Sequence, residues 1–208
     1  LLVWLGLPPE GDAVDYRVPL IRWIVAHRAL PNWPWTFVDD YPLLGDLAMA
    51  LLYSIHPNLM RLVPISGYIA SAFFAGKIYV LLAKDGTSLP SSEKILAFLT
   101  AGAWALGLRP LALQSNLLMV DTLASAFTLG SLAYCLENRS SKSGLLAALA
   151  LSTRYTTWVN IALIGGIHLF NSSKKEGRLP EKIKSVLPFF LLAAFGAAPW
   201  MIRNFLLN

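Results

Sequence analysis

The sequence predicts an all-α chain that crosses a membrane several times, with a large external segment carrying interfacial helices ahead of the spans. Three observations lead there. Of 208 residues, 56% are hydrophobic and only 14% charged, where a soluble domain has about a quarter charged, and the mean hydropathy is +0.56. Weakly charged runs at 59–83, 95–108, 117–136 and 185–202 approach or reach the length that crosses hydrocarbon. The lysines are also segregated: seven of eight lie in three polar breaks, 84–94, 137–143 and 171–184. The net charge of +5 would suggest nucleic acid for a soluble chain. Here it follows from loop lysines near lipid headgroups, and no nucleic-acid partner is expected. A soluble helical core is the blander alternative.

In chain order, residues 1–7 read as the tail of a first helix cut short, 8–58 as an external loop, and 59–208 as transmembrane helices, with further spans expected downstream. Short Lys-rich loops belong in the cytoplasm, which puts 8–58 outside. Within that loop, 15–29 has apolar positions 18, 20, 21, 24 and 25 between arginines 17, 22 and 28. Residues 41–55 are too few, and too polar at Asp46, for a comfortable span. Both segments therefore read as helices in the outer interface, where Trp23, Trp33 and Trp35 are also comfortable. Asp46 is expected to face water or an arginine.

A span at 59–83 then runs inward, 95–110 outward and 119–136 inward. Residues 144–170 are long enough for one tilted span, but that would bury Arg154 near mid-membrane and put the basic 171–184 loop outside. A charge at the bilayer centre costs about 3 kcal/mol or more. Two short segments, 144–153 and 157–170, avoid this by bringing Arg154 to the outer surface. Residues 185–205 run outward again.

Several residues attract no chemistry. Lys77 is placed to snorkel toward the first basic loop. Cys135, the single cysteine, reads as a small buried side chain, with no disulfide or cysteine zinc site within the chain. His27, His56 and His168 lack ligand spacing and read as structural. The sequons at Asn138 and Asn171 fall in loops placed inside, so they should be idle. No Gly-rich phosphate loop, nucleophile elbow or metalloprotease helix occurs.

What remains is a set of charges on the outer face. Asp121 interrupts the apolar run NLLMVDTLASAF at the head of an inward helix, joined there by Arg109, Arg154 and Arg203. Asp12 and Asp15, in EGDAVDYR, read first as helix caps; Asp12 is the sharper candidate because Tyr16 would share its helical face. Asp39 and Asp40 read first as caps of the second interfacial helix, two adjacent carboxylates alone being too little to specify a cation. Arg154, in STRYTTW, is either a snorkelling arginine or an anion clamp whose guanidinium matches phosphate oxygens.

In their order, these features resemble the polyprenyl-phosphate-sugar-dependent glycosyltransferases of the GT-C superfamily, including protein O-mannosyltransferases and aminoarabinose transferases of lipid A. GDAVDYRVP is similar to the family's external-loop Asp with a Tyr four residues on, here Asp12 and Tyr16. DDYPLLGDLAMALL resembles its P-P-L-G-like interfacial helix, with Leu43 in place of the second Pro. MVDTLASAF fits the external Asp at a helix head, ALSTRYT the T-K or T-R step at Thr153 and Arg154, and APWMIRN the APW-x-x-R-N run. Arg17 stands where relatives often have His.

The resemblance implies transfer of a sugar from a polyprenyl-phosphate donor to a lipid, glycan or protein acceptor at the outer face of a bacterial or archaeal plasma membrane, with the endoplasmic reticulum membrane as the location in a eukaryote. Asp12 and Asp121 would be its catalytic carboxylates and its candidate ligands for a divalent cation. Tyr16, Arg154, Arg203 and Asp40 would bind substrate. Departure of the phosphate needs cationic stabilisation, and the attacking group needs a base; Asp12 is the first choice for that base. A transporter also uses broken helices and charges among spans, though nearer the midplane. A non-catalytic membrane subunit is the third possibility.

Overall fold

Long apolar runs that satisfy their own backbone hydrogen bonds become helices, and every regular element among the described residues is helical. The molecule is seen in a computed structural model that describes residues 17–30, 43–83, 91–107, 120–174 and 179–207. Two short helices come first, α1 (Val18–His27) and α2 (Leu44–Ile55). A 3-10 turn at Pro57–Arg61 leads into α3 (Leu62–Leu82). Then follow α4 (Ser91–Leu106), α5 (Asp121–Leu136), α6 (Ser140–Thr153), α7 (Trp158–Ser173) and α8 (Leu179–Leu207).

The contacts set a strict alternation of direction. Thr122 Oγ1 donates to Pro64 O at 2.9 Å, and Lys77 Nζ lies 3.0 Å from Glu137 Oε1, so α3 and α5 run parallel. Between them in sequence, α4 returns antiparallel to α3, with Gly76 against Phe98 and Gly102 against Ala72. Ser131 Oγ donates to Ser143 O at 2.9 Å, while Asp121 meets Arg154, so α5 and α6 form a hairpin. His168 Nε2 lies 3.0 Å from Ser143 Oγ, which turns α7 back beside α6. Finally Ser172 and Ser185 meet through their hydroxyls at 3.0 Å, and Ser152 Oγ donates to Gly196 O at 2.6 Å; α8 therefore runs with α6. The basic residues Lys77, Lys94, Arg139, Lys142, Lys174 and Lys182 collect toward one end of the bundle. Asp121 and Arg154 lie at the other.

The expected broken pair is present: the helix stops at Thr153 and a new one starts at Trp158. Boundaries differ elsewhere. Helix α4 begins four residues before the expected 95, and α6 four before 144, because Ser140 Oγ bonds Ser185 O and holds an extra turn against α8.

Length is the other difference. Among the described residues two stretches, Pro57–Leu82 and Pro180–Leu206, are long and apolar enough to cross a membrane. The 14- to 16-residue helices α4 to α7 rise about 21–24 Å at 1.5 Å per residue, short of the roughly 30 Å of a hydrocarbon core.

Small residues set the packing. Helix α6 buries Ser143, Gly144, Ala147, Ala148 and Ala150, which lets α8 approach so closely that a Cβ on Gly196 would sit 2.4 Å from the Ala148 backbone. No side chain fits there. Lys77 reaches back over the Tyr134 ring at 4.0 Å as well as to Glu137. Cys135 is fully buried, its thiol directed at Ile164 O.

Candidate functional site

The α1–α2 pair closes the end of the bundle that holds Asp121 and Arg154. The apolar positions expected on the first interfacial helix become core: Val18, Leu20, Ile21 and Ile24 are buried, in a cluster that also takes in Met49, Met60 and Val120. Trp200, near the end of α8, packs against the same cluster. Gly45, at the start of α2, is pressed onto the junction of α5 and α6: a Cβ there would fall 2.4 Å from Val120 Cγ1 and 3.5 Å from Thr153 Cγ2. The loop helices thus pack against Val120 and Thr153, the chain neighbours of Asp121 and Arg154.

A buried ion pair joins the two loop helices. Arg17 Nη1 donates to Asp46 Oδ1 at 2.6 Å, both side chains being almost fully buried. Asp46 thus faces an arginine rather than water. Burial pushes its carboxyl above the ordinary aspartate value, and the guanidinium of Arg17 pulls in the opposite direction. In the sequence Arg17 is one of three arginines on an amphipathic helix, and nothing local in the chain points to Asp46, 29 residues away, as its partner.

Asp121 opens α5, yet it does not cap it. The cap position is Val120, with no side-chain cap bond. Instead the Asp121 carboxylate accepts from Arg154 Nη1. The direction of Asp121 is set by its neighbour Thr122, fully buried, which bonds Pro64 O and receives Ser71 Oγ on its own carbonyl at 3.3 Å. The acidic first turn also favours the partial positive charge at the helix start.

Arg154 owes its place to the sequence STRYTTW. Threonines are weak helix formers whose hydroxyls compete for backbone carbonyls. Thr153 Oγ1 turns back to Leu149 O, and Thr157 bonds Arg154 O through both its amide at 3.2 Å and its hydroxyl at 2.7 Å. Arg154 itself is extended, with φ −155° and ψ 120°, so its side chain leaves the helix axis and crosses to α5. A short 3-10 turn, Tyr155–Thr157, restarts the chain as α7.

Beside this pair is a cavity of about 340 Å³, bounded by Asp121, Ser125, Thr128, Arg154, Thr157 and Asn160 among others. Ser125 and Thr128 continue the face of Asp121 down α5 at helical spacing, a polar stripe the reading of Asp121 alone missed. Its signal was in the sequence, as D-x-x-x-S-x-x-T. The cavity thus offers one guanidinium, one carboxylate and several hydroxyls, a set suited to an anion attached to a polar, hydroxylated body.

Arg203 lies near the end of α8, its Nη1 3.4 Å from Asn204 Oδ1, at the same end of the bundle as the pair. Asp12, Tyr16, Asp40 and Arg109 fall outside the described residues. Among the described residues no group of three His, Cys, Asp or Glu gathers; of the two candidate ligands for a divalent cation, Asp121 meets a guanidinium and Asp12 lies outside the described residues. The chain matches no family model, no curated protein and no solved structure.

Proposed function

We propose that the chain belongs to an integral membrane glycosyltransferase that moves a sugar from a polyprenyl-phosphate donor to a lipid, glycan or protein acceptor at the outer membrane face. The observation that carries the reading is the Asp121–Arg154 pair beside a hydroxyl-lined cavity, at the end of the bundle away from the described lysines.

The membrane part is supported by which residues face in and which face out. Helix α3 buries Gly67, Ser71, Ala72 and Gly76 while exposing Ile69, Phe73 and Tyr79. The pattern recurs on the short helices: α4 exposes Ile95, Leu96, Leu99 and Trp104, and α7 exposes Trp158, Leu163, Leu169 and Phe170. Large apolar side chains outside, with small residues at the closest approaches beside buried Ile65, Tyr68, Ile161 and Ile164, suit helices packed in lipid, where close approach contributes to association.

In this reading the donor's tail stays in the lipid and its phosphate reaches Arg154. An acceptor oxygen or nitrogen forms the bond to the anomeric carbon as the bond to the phosphate oxygen breaks. The electron pair departs with the phosphate, where Arg154 meets the growing charge. The acceptor's proton passes to a carboxylate, for which Asp12 is the first choice.

Two measurements test this. Purified full-length Arg154→Gln should bind polyprenyl phosphate about ten- to a hundredfold more weakly than wild type, the scale of lost charge-assisted hydrogen bonds; unchanged binding removes the phosphate from Arg154. For sidedness, Glu176→Cys in a Cys135→Ala background should resist an impermeant maleimide in intact cells. Ready labelling from outside would invert the arrangement.

A further inference from the structure

Far from Asp121 and Arg154, at the basic end of the bundle, lies a second cavity of about 340 Å³. It is bounded by the last turns of α3, the first turns of α4 and the end of α5. Val80, Ile95 and Phe98 give it apolar walls, and Lys77, Lys94 and Glu137 its charge. We propose that this cavity binds the headgroup of an anionic glycerophospholipid of the cytoplasmic leaflet. The proposal rests on the membrane reading and sidedness given above, and not on sugar transfer.

The packing of α3 on α4 sets the cavity's place. The two helices press together at Gly76, where a Cβ would fall 2.7 Å from Phe98 O. Beyond that contact, Lys77 and Val80 recur at helical spacing on α3, as do Lys94, Ile95 and Phe98 on α4, so each helix offers an apolar stripe with one cation. The two lysines differ in what holds them. Lys77 Nζ lies 3.0 Å from Glu137 Oε1 and 4.0 Å from the centroid of the Tyr134 ring. Arg139 Nε stands 3.5 Å from the other Glu137 oxygen, so the carboxylate in the cavity wall is engaged twice. Lys94 has no hydrogen-bond or ion-pair partner among the described residues. Its chain neighbour Glu93 is exposed and is no part of the wall. Cations therefore outnumber carboxylates around the cavity, and one of them is free to take an anion.

These features select a ligand class. A phosphodiester carrying one negative charge matches the free ammonium of Lys94, and basic pockets between helices on the cytoplasmic side suit such headgroups. The glycerol and the first methylenes would lie on Val80 and Phe98. An acyl chain continues along exposed Ile95 and Leu99, which share a face of α4. A zwitterionic headgroup brings a cation of its own, and Glu137 already meets two. A soluble phosphate gains nothing from the apolar walls.

The test is native mass spectrometry of the full-length protein in neutral detergent. Phosphatidylglycerol and phosphatidylcholine with identical dioleoyl tails are added in equal amounts. Wild type should retain phosphatidylglycerol with about a fivefold preference, the scale of one lysine at an anionic lipid surface. Lys94→Gln, which removes no internal contact, should lose most of that preference, and Lys94→Arg should keep it. Lys174→Gln removes a cation at the same end of the bundle but outside the cavity, and should leave the preference unchanged. Equal retention of the two lipids by wild type, or a preference that survives Lys94→Gln, overturns the proposal. An equal loss in Lys174→Gln also overturns it, because the general charge of that end would then suffice. Excess glycerol 3-phosphate should fail to displace the lipid; displacement at matched concentration would overturn the part given to the apolar walls. Binding is read without turnover, so failure here is separate from failure of sugar transfer. Labelling of Glu176→Cys from outside would overturn the leaflet.

Discussion

Asp121→Asn in the full-length protein is expected to fold and insert normally while losing at least about two orders of magnitude in turnover, the usual scale for one electrostatic or acid–base group. Asparagine keeps the shape and the hydrogen-bonding oxygen and removes the charge. A purely structural Asp at a helix start would tolerate the change, since Asn serves there about as well. In the structure the cap position belongs to Val120 and the Asp121 oxygen to a guanidinium. The charge, rather than the shape, is therefore the property under test. Near a low-dielectric boundary that charge weighs more than it would in bulk water.

Asp121→Glu should recover little, because an added methylene moves the oxygens by roughly 1 Å in a site where such displacements are costly. The measurement is transfer of radiolabelled sugar from a lipid-phosphate donor by purified variants. Wild-type turnover would show that this aspartate only begins a helix.

The second large effect is on stability. Arg17→Met should destabilise the protein by about 3–5 kcal/mol, because it leaves the Asp46 carboxylate buried without its guanidinium. The double replacement Arg17→Met with Asp46→Leu should recover most of that loss, since an apolar pair of similar volume suits a cluster already built from Leu20, Ile21 and Met49. The loss should also depend on pH, with a sign that follows from burial. A carboxyl raised above its unfolded value contributes fully below that value, near 3.8, and loses the contribution as pH rises through the folded value. Removing Arg17 takes away the opposing influence and raises the folded value further. Arg17→Met should accordingly lie closer to wild type in acid than at neutral pH. Denaturation midpoints in detergent for the four proteins of the cycle would read this out. Destabilisation by the double variant as large as by Arg17→Met alone would mean that the pair is not what Asp46 contributes.

Much of the fold was legible because apolar period and Lys-rich breaks are local properties of the chain. Val18, Leu20, Ile21, Ile24 and Val25 were the apolar positions of one helix in the sequence, and the first four are buried while Val25 is partly buried. The break at Arg154 was legible because STRYTTW is rich in residues that end helices. Less of the site was legible. That Asp121 and Arg154 belong to one end of the bundle follows from the alternation of helix direction; that they touch does not.

Partner choice across 33 residues, or 29 for Arg17 and Asp46, is decided by how closely the helices approach. That approach depends on side-chain volume at positions with no charge to advertise them. Gly45 lets α2 press onto Val120 and Thr153, and Gly196 with Ala148 lets α8 lie against α6. By itself the sequence determined the helical class, the order and direction of the elements, and the helix head and helix break that carry the two charges. The tertiary structure alone decided that Asp121 binds Arg154 instead of capping α5, that Asp46 takes Arg17, and that Ser125, Thr128 and Asn160 share a cavity with the pair. Hydrophobic period is read along one chain segment, whereas an ion pair or a cavity wall exists only once separate segments have packed, and packing distance is set by the smallest residues between them.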